Sequence, residues 1–412
     1  MRIACVGGGP AGLYFSILAK LQRPQDEVHV HERLPAEADD GWGVTYWADF
    51  LDVLRGCDID TAEAIARGSA SWSQGVAHIR GERTAHQGDR EFGIGRRHLL
   101  DLLTARAEAL GVRVHHDREI TDPSRLPDAD LVVAADGAGS QIRGAHAADY
   151  GTRIDEGRNP FLWLGTDKVL DSFTFAFHPT EGGGWLWCYG YPYGSDRSTV
   201  VVECTPQAWT DLSFDSLGRR ETLDLLARLF AEPLDGHALL SRAEDTDDAG
   251  WRTFRTVSNR SWHRVSPVPT VLLGDAAHTT HYSIGAGTKL ALEDAIGLAA
   301  ALREHADLPT ALQRYGAGRR QALLRSQSAA RYSARWFEEL PRYMRLPPQR
   351  LFALLGQRHS PLLPLLPPAL GYHLHHGIES LPALRAARRW AGPRLAARLH
   401  AQGDRGSDTV AR

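Results

Sequence analysis

A loop between residues 273 and 289 holds the side chains with the clearest chemical potential. An apolar stretch leads into Gly274-Asp275, then a polar segment with His281-Tyr282, then Gly285-Ala286-Gly287 before a helical pattern. A strand that ends in an acid, followed by a loop and a helix N-terminus, is an arrangement that binds charged cofactors. Histidine and tyrosine can accept or relay a proton, and a loop histidine with a purely structural role is the equal alternative.

The first 33 residues have the spacing of a dinucleotide-binding strand–helix–strand unit. A short apolar strand leads into a Gly-x-Gly-x-x-Gly turn, a helical pattern and a second strand that ends in an acid. The first glycine allows the tight turn, the second lets a pyrophosphate approach the backbone, and the third lets helix and strand pack closely. The acid is placed to bind a ribose. The candidate cofactor ligands here are Gly7, Gly9, Pro10, Ala11, Gly12, Glu32 and Arg33.

Two further segments carry charges that suit a phosphate-bearing cofactor. Arg96 and Arg97 stand in the first turn of a predicted helix, where cations oppose the helix dipole and therefore need another reason to be present. A bound phosphate is one reason, and a solvated helix face is the alternative. Farther along, residues 130–135 form an apolar strand that ends in Asp136-Gly137.

Three motifs in this order resemble one family, the single-component FAD-dependent aromatic hydroxylases related to para-hydroxybenzoate hydroxylase. They are the N-terminal glycine unit, D-G-x-x-S-x-x-R at residues 136–143 and G-D-A-A-H at residues 274–278. The resemblance implies FAD as cofactor, NADH or NADPH as transient reductant, and hydroxylation of an electron-rich ring by dioxygen through a flavin C4a-hydroperoxide. It implies a structural role for His278. The further FAD ligands it implies are Trp42, Gly43, Arg96, Asp136, Gly137, Gly274, Asp275, Gly285, Ala286 and Gly287.

The same resemblance implies the fold, an α/β class with a Rossmann-like FAD-binding domain of the glutathione-reductase type. A mostly antiparallel β-sheet substrate domain is inserted into it, and a C-terminal helical region follows. We assign residues 1–70, 90–150 and 255–330 to the FAD-binding domain and residues 71–89 and 151–254 to the substrate domain. Residues 331–412 form the helical region, with a disordered end.

The loop also departs from the general family pattern, because Tyr282 and Lys289 stand where proline and asparagine are usual. With these residues the loop is similar to the branch of salicylyl-CoA 5-hydroxylase and 2-aminobenzoyl-CoA monooxygenase, and to a hydroxylase of violacein biosynthesis. The branch implies an anthranilate- or salicylate-type ring held as a CoA or carrier-protein thioester. A free or fused indole is the alternative substrate. An FAD-dependent polyprenyl reductase is an alternative of another class.

The segment from residue 184 to 193 predicts a strand with one aromatic face. Trp185, Trp187, Tyr189, Tyr191 and Tyr193 share one parity, so their side chains point to one side. Core packing against a helix is favoured for the two tryptophans, whereas the tyrosines suit a flat slot for an aromatic ring. The predicted substrate pocket comprises Tyr46, Trp47, Phe175, Tyr189, Tyr191 and His281, and the predicted catalytic residues are His281 and Tyr282.

Composition excludes several other functions. The net charge of −3 argues against nucleic acid as a partner. The four cysteines lack metal-binding or paired spacing, so we expect neither a disulfide framework nor a metal site, and a cytoplasmic location. We expect no signal peptide and no membrane span, and a monomer or homodimer.

Overall fold

The protein contains two β-sheets joined by helices. A computed structural model describes residues 1–38, 41–126, 128–242 and 250–380. The strands are β1 (Arg2–Val6), β2 (Glu27–His31), β3 (Gly43–Trp47), β4 (Ala70–Ile79), β5 (Glu82–Gly95), β6 (Arg113–His115), β7 (Leu131–Ala134), β8 (Thr152–Thr166), β9 (Phe173–Pro179), β10 (Trp185–Pro192), β11 (Ser198–Cys204), β12 (Leu239–Leu240), β13 (Arg252–Asn259), β14 (His263–Arg264) and β15 (Thr270–Leu272).

The helices lie between and after these strands. They are α1 (Pro10–Gln22), α2 (Ala48–Arg55), α3 (Ile59–Arg67), α4 (Arg96–Ala109), α5 (Gln141–Ala145), α6 (Ala147–Tyr150), α7 (Pro206–Asp211), α8 (Arg219–Leu229), α9 (Ala231–Leu234), α10 (Gly287–Glu304), α11 (Leu308–Glu338), α12 (Leu340–Tyr343), α13 (Pro348–Leu355) and α14 (Pro368–Ser380). Within the described ranges, no helix is both long and apolar enough to span a membrane.

The first sheet is the dinucleotide-binding layer that the N-terminal motif predicts. Its order is β14-β15-β7-β1-β2-β6, with all pairs parallel except β14–β15. Every residue of β7 is buried, which explains its uninterrupted apolar run, since helices cover such strands on both faces. The carboxyl ends of β1, β7 and β15 therefore meet at one edge, where a cofactor binds in such sheets.

The second sheet has nine strands in the order β12-β8-β11-β10-β9-β4-β5-β3, with β13 paired to β8. It is antiparallel apart from β4–β9. Strand β3 and the end of β5 lie in segments that we assigned to the FAD-binding domain, yet they pair within this sheet. Helix α11 likewise runs across the boundary placed at residue 330. The domain limits stay a prediction, and the predicted disordered end falls on residues 381–412, outside the described residues.

The aromatic parity of β10 is confirmed. Trp187, Tyr189 and Tyr191 face a core cluster that includes residues of α11 to α13, whereas Leu186 and Cys188 face a second cluster under α7 and α8. The Trp187 ring stacks on Phe337 of α11 with 5.3 Å between centroids. Trp187 thus has the core role that was favoured for it, and the tyrosines lie farther along the same face.

Candidate functional site

The glycine turn after β1 has three different physical reasons for its three glycines. Gly7 has a φ of +107°, and a Cβ there would lie 2.3 Å from the Ala135 carbonyl oxygen. A Cβ on Gly12 would lie 2.2 Å from the Gly7 carbonyl oxygen. A Cβ on Gly9 would meet nothing within 4 Å, and no side chain caps α1, which begins at Pro10. Gly7 and Gly12 serve the fold, whereas Gly9 leaves the helix N-terminus open to a phosphate.

The acid at the end of β2 is fixed in place by the backbone. Glu32 accepts hydrogen bonds from the Gly8 amide at 2.6 Å and from the Leu34 amide at 2.9 Å. Each carboxylate oxygen retains acceptor capacity for a ribose hydroxyl. The adjacent Arg33 is exposed.

The Asp-Gly motif joins two loops at the carboxyl edge of the first sheet. The buried Arg143 donates to the carbonyl oxygens of Ala276 at 3.0 Å and Ala138 at 2.6 Å, so it ties the loop after β7 to the loop after β15. Asp136 is nearly buried, and its Oδ1 has no hydrogen-bond partner in the described structure. Beside it Gly137 has a φ of +79° and open space around it. An orphaned buried acceptor next to an open glycine fits a hydroxyl-bearing cofactor.

The loop after β15 packs against the start of α1. Gly274 has a φ of +61°, and a Cβ on it would lie 3.0 Å from Ala11. The side chain of Asp275 is exposed at this edge of the sheet. Gly285 also has a φ of +61°, a Cβ there would meet Thr45 at 2.7 Å, and Gly287 lies in open space at the start of α10. The residues at this edge therefore fit an extended dinucleotide such as FAD.

Trp42 and Gly43 have packing roles at the junction of the two sheets. The Trp42 indole N–H donates to the Trp163 carbonyl oxygen at 3.0 Å, and the ring covers Gly165 of β8. The Gly43 carbonyl oxygen accepts the Tyr191 hydroxyl at 2.9 Å. Arg96 is half-buried at the start of α4, and its amide donates to the Trp42 carbonyl oxygen. These contacts explain the residues without the cofactor, so their contacts with FAD stay predictions.

The structure separates two residues of the predicted pocket. Tyr46 and Trp47 are consecutive in β3, so their side chains point to opposite faces. Tyr46 is buried in the core of the first sheet, with its hydroxyl bound to Ser69 at 2.6 Å. Trp47 lies beside the Gly285 loop. The placement of Tyr46 in the substrate slot does not fit this geometry, whereas the placement of Trp47 stays a prediction.

The remaining predicted pocket residues meet on the aromatic face of the second sheet. The ring centres of Phe175 and Tyr189 lie 5.8 Å apart, and the ring centres of Tyr189 and Tyr282 lie 6.5 Å apart. Tyr191 is also on this face, but its hydroxyl is committed to Gly43. No described residue accepts or donates a hydrogen bond at the Tyr189 hydroxyl, which is the polar group of the slot that remains for a ligand.

The two predicted catalytic residues differ in their environments. His281 Nδ1 lies 2.9 Å from the Ser283 hydroxyl, and burial together with the charge of Arg358 lowers the pKa of His281 to about 3. Tyr282 donates a 2.8 Å hydrogen bond to Oε2 of Glu203, and burial raises the pKa of Tyr282 well above its ordinary value. At neutral pH His281 is thus an uncharged ring, and Tyr282 keeps its proton.

Two further ionisable residues near the loop were not predicted from the sequence, the buried Glu203 and the half-buried Arg358. Glu203 lies in β11 with 1% exposure, and burial raises its pKa to about 8. Arg358 follows α13 and places its guanidinium 5.9 Å from the Phe175 ring centre. An acid inside the apolar run Val200–Cys204, on the parity of the aromatic face, was a signal for Glu203. No local signal marks Arg358, because only the tertiary fold brings it to the loop.

His278 belongs to a buried structural network. Its Nε2 lies 2.8 Å from Oδ2 of Asp294, which is fully buried in α10, and Arg319 donates to Oδ1 of the same carboxylate at 2.7 Å. The ring also stacks on Trp262. This geometry accords with the structural role implied for it.

Comparison with known proteins identifies the family of the chain. The family model described as "FAD binding domain" matches residues 1–327. The chain is 36% identical over 354 residues to salicyloyl-CoA 5-hydroxylase of a Streptomyces species, covering 84% of this chain and 67% of the relative. It is 37% identical over 361 residues to 3-hydroxy-4-methyl-anthranilyl-[aryl-carrier protein] 5-monooxygenase of Streptosporangium sibiricum, covering 87% and 94%.

The chain belongs to the FAD-binding domain family. It is an FAD-dependent monooxygenase of the aromatic hydroxylase type, so the predicted enzyme class, fold, FAD cofactor and NAD(P)H reductant are confirmed. A solved structure of 2-methyl-3-hydroxypyridine-5-carboxylic acid oxygenase shares the fold, with a TM-score of 0.64 at 19% identity over 90% of this chain and 95% of that one.

A groove that is open to solvent lies beside the loop that carries His281, on the side away from the aromatic face. It has a volume of about 1150 Å³ and runs between β8, β13 and α11. Its lining includes His281 from the loop and the buried Glu203 and Asn159. The loop thus lies between an aromatic face and a polar groove, and Tyr282 connects the two through Glu203.

Proposed function

We propose that the enzyme hydroxylates the ring of a hydroxy- or aminobenzoyl group held as a thioester of CoA or of a carrier protein. The observation that carries the proposal is the position of the loop at residues 281–285, between an aromatic face and a solvent-open groove. The ring binds on the aromatic face and the thioester arm extends along the groove. The two relatives above act on substrates of this kind by their names.

The residues of the slot position the ring and polarise it. When bound, FAD supplies the activation of dioxygen, with NAD(P)H as the electron donor. Phe175 and Tyr189 provide flat apolar contacts that exclude water from the ring. Arg358, a permanent cation held against this face, stabilises negative charge on a substrate hydroxyl or carbonyl oxygen.

The groove has the polarity that a long amide-containing arm requires. Charged residues of both signs line it, and two of its ion pairs, Arg158–Glu338 at 3.1 Å and Arg335–Glu339 at 2.8 Å, lie along α11. Such exposed pairs are weak, so a polar ligand can exchange partners with them at little cost. A free aromatic acid would leave this groove unused.

The other substrate classes receive less support. The relatives at 36% and 37% identity act by name on single-ring benzoyl-type substrates rather than on an indole or a polyprenyl chain. The four cysteines are free thiols, which supports a reducing, cytoplasmic compartment, where CoA thioesters and NAD(P)H are available.

The test is NAD(P)H consumption by the FAD-loaded enzyme with salicylate, anthranilate, their CoA thioesters and indole as separate substrates. We expect a large stimulation by an aryl thioester and incorporation of one atom of labelled dioxygen into the ring. Stimulation by the free acids or indole alone would contradict the thioester proposal. Reduction of a substrate without oxygen incorporation would contradict hydroxylation.

A further inference from the structure

Glu203 is a carboxyl group buried inside the substrate sheet without a cation beside it. Its hydrogen bonds come from Asn159 Nδ2 to Oε1 and from the Tyr282 hydroxyl to Oε2, both at 2.8 Å. Within the described ranges it takes part in no ion pair. Ionising a buried carboxyl group that has no cation beside it costs free energy. Such a group is therefore a candidate for a functional role.

The register of the sheet places Glu203 on the aromatic face. It is paired with Trp187 of β10 on one side and Phe161 of β8 on the other, so it shares the parity of Tyr189. The Tyr282 ring lies 4.5 Å from Phe161 and reaches Glu203 with its hydroxyl. Tyr282 is therefore the direct link between the aromatic slot and the buried carboxyl.

Glu203 also contributes to the groove that opens to solvent. Glu203 and Asn159 are both part of its lining, although their side chains are almost fully buried. A proton that arrives on Glu203 can therefore leave through the groove without crossing the aromatic slot. This route keeps water out of the slot, where it would interfere with oxygen transfer.

We propose that Tyr282 and Glu203 form a proton-accepting pair for the hydroxyl group of a bound aromatic substrate, an inference that rests on the function proposed above. The substrate O–H bond breaks and its proton moves to the Tyr282 oxygen, as the Tyr282 proton moves to Oε2 of an ionised Glu203. The products are a substrate phenolate and a neutral Glu203 carboxyl, which then releases the proton to water in the groove. The phenolate makes the ring carbon a stronger nucleophile.

The groups that surround Tyr282 and Glu203 determine the pH range in which the pair can accept a proton. They are Asn159 and Phe161 on β8, Trp187 and Tyr189 on β10, Cys204 on β11, Glu338 on α11 with its partner Arg158, and His281 on the loop, with Arg358 beyond Tyr189. Burial raises the pKa of Glu203 to about 8, and the charge of Glu338 raises it further. The hydrogen bonds from Asn159 and Tyr282 act in the opposite direction and lower it. The rate of hydroxylation should therefore rise with pH up to about this value.

The test compares pH profiles of kcat for Glu203→Gln and Tyr282→Phe with the wild-type enzyme. The FAD-loaded proteins are given salicyloyl-CoA, or whichever hydroxyaryl thioester the wild type hydroxylates. Both variants should lose the rise towards pH 8 and about 100-fold of kcat, the lower end of the range for lost acid–base catalysis. Glu203→Asp, which keeps a carboxyl group, should restore part of the pH-dependent rise.

Glu108→Gln on the exposed face of α4 is the matched control and should keep the wild-type profile. Since Tyr282→Phe keeps the ring, it tests the relay even if Glu203→Gln does not fold. A wild type that hydroxylates the substrate, with variants that retain its pH profile, would overturn the proton-accepting pair alone. A wild type that hydroxylates none of the thioesters would instead overturn the proposed function.

Discussion

Arg358 donates a 2.8 Å hydrogen bond to the carbonyl oxygen of Ser283, which ties the end of α13 to the loop that carries His281 and Tyr282. The same guanidinium donates to the Ser333 hydroxyl of α11 at 3.1 Å and to the Leu355 carbonyl oxygen at 2.9 Å. One half-buried cation thus joins three elements around the loop that carries His281 and Tyr282. The C-terminal helices are therefore in direct contact with the candidate site.

Replacement of Arg358 by alanine should loosen this loop and remove the cation next to the proposed position of the substrate ring. We expect about a ten-fold or larger loss of coupled hydroxylation, because small displacements of a reacting ring are costly. NAD(P)H should then be oxidised with release of hydrogen peroxide, which a peroxide assay measures against product formed. Arg358→Lys keeps the charge but cannot make all three hydrogen bonds, so it should restore coupling only in part.

The exposed Arg220 offers the control, since α8 covers the face of the second sheet opposite the aromatic face. Arg220→Ala should retain wild-type coupling. Full coupling in Arg358→Ala would show that neither the tie nor the charge matters to the reaction.

The glycine turn permits a second prediction that separates binding from folding. Gly9→Ala adds a methyl group where no protein atom lies within 4 Å, so the free energy of unfolding of the apoprotein should be unchanged. FAD affinity should fall, because the methyl group occupies the approach of the pyrophosphate. Gly12→Ala should instead destabilise the apoprotein by about 1–3 kcal/mol or more, because it meets the Gly7 carbonyl oxygen at 2.2 Å.

Urea unfolding of the apoproteins and fluorescence titration with FAD measure the two effects. The prediction fails if Gly9→Ala unfolds as easily as Gly12→Ala, or if it binds FAD as tightly as the wild type.

The cofactor edge could be predicted from the sequence because its signals are local. Gly7, Gly9, Gly12 and Glu32 lie within one strand–helix–strand unit, where spacing along the chain sets spacing in the fold. Alternation likewise predicted the aromatic face of β10. Alternation also means that Tyr46 and Trp47, which are adjacent in β3, point to opposite faces. The pocket prediction, which includes both residues, did not take this into account.

The polar half of the slot could not be predicted in this way. Glu203 and Tyr282 are 79 residues apart, and Arg358 lies 75 residues beyond Ser283. These contacts depend on how β11, the loop and α13 are brought together by three-dimensional packing. A single sequence shows at most that a charge inside an apolar strand is unusual, which applies to Glu203 but not to Arg358.

His281 provides a prediction about acid stability. Its pKa of about 3 in the folded protein lies below the ordinary value of 6.5, so the unfolded chain binds the extra proton more readily. Stability should therefore fall as the pH drops from 6.5 towards 3, by up to about 1.4 kcal/mol for each pH unit from this group. His281→Asn should flatten this part of the stability curve, as measured by urea unfolding across the same pH range.

The control is His86→Asn, on the exposed surface of β5, which should keep the wild-type slope. His281→Asn should also keep the pH dependence of kcat, because the uncharged ring does not titrate near neutrality. A change in that profile would instead make His281 the group that accepts the substrate proton.

Glu203 should have the opposite effect on stability at higher pH. Burial raises its pKa to about 8 in the folded protein against 4.5 in the ordinary state, so the folded protein holds this proton more tightly than the unfolded chain does. Its contribution is complete below pH 4.5 and is lost progressively as the pH rises towards 8, at about 1.4 kcal/mol per unit or less. Glu203→Gln cannot ionise and should gain stability relative to the wild type over this interval.

Urea unfolding at pH 5 and pH 8 measures the difference. An identical pH slope in both proteins would mean that Glu203 is ionised in the folded state at neutral pH, which would remove the physical basis for a carboxyl group that titrates near pH 8 beside Tyr282.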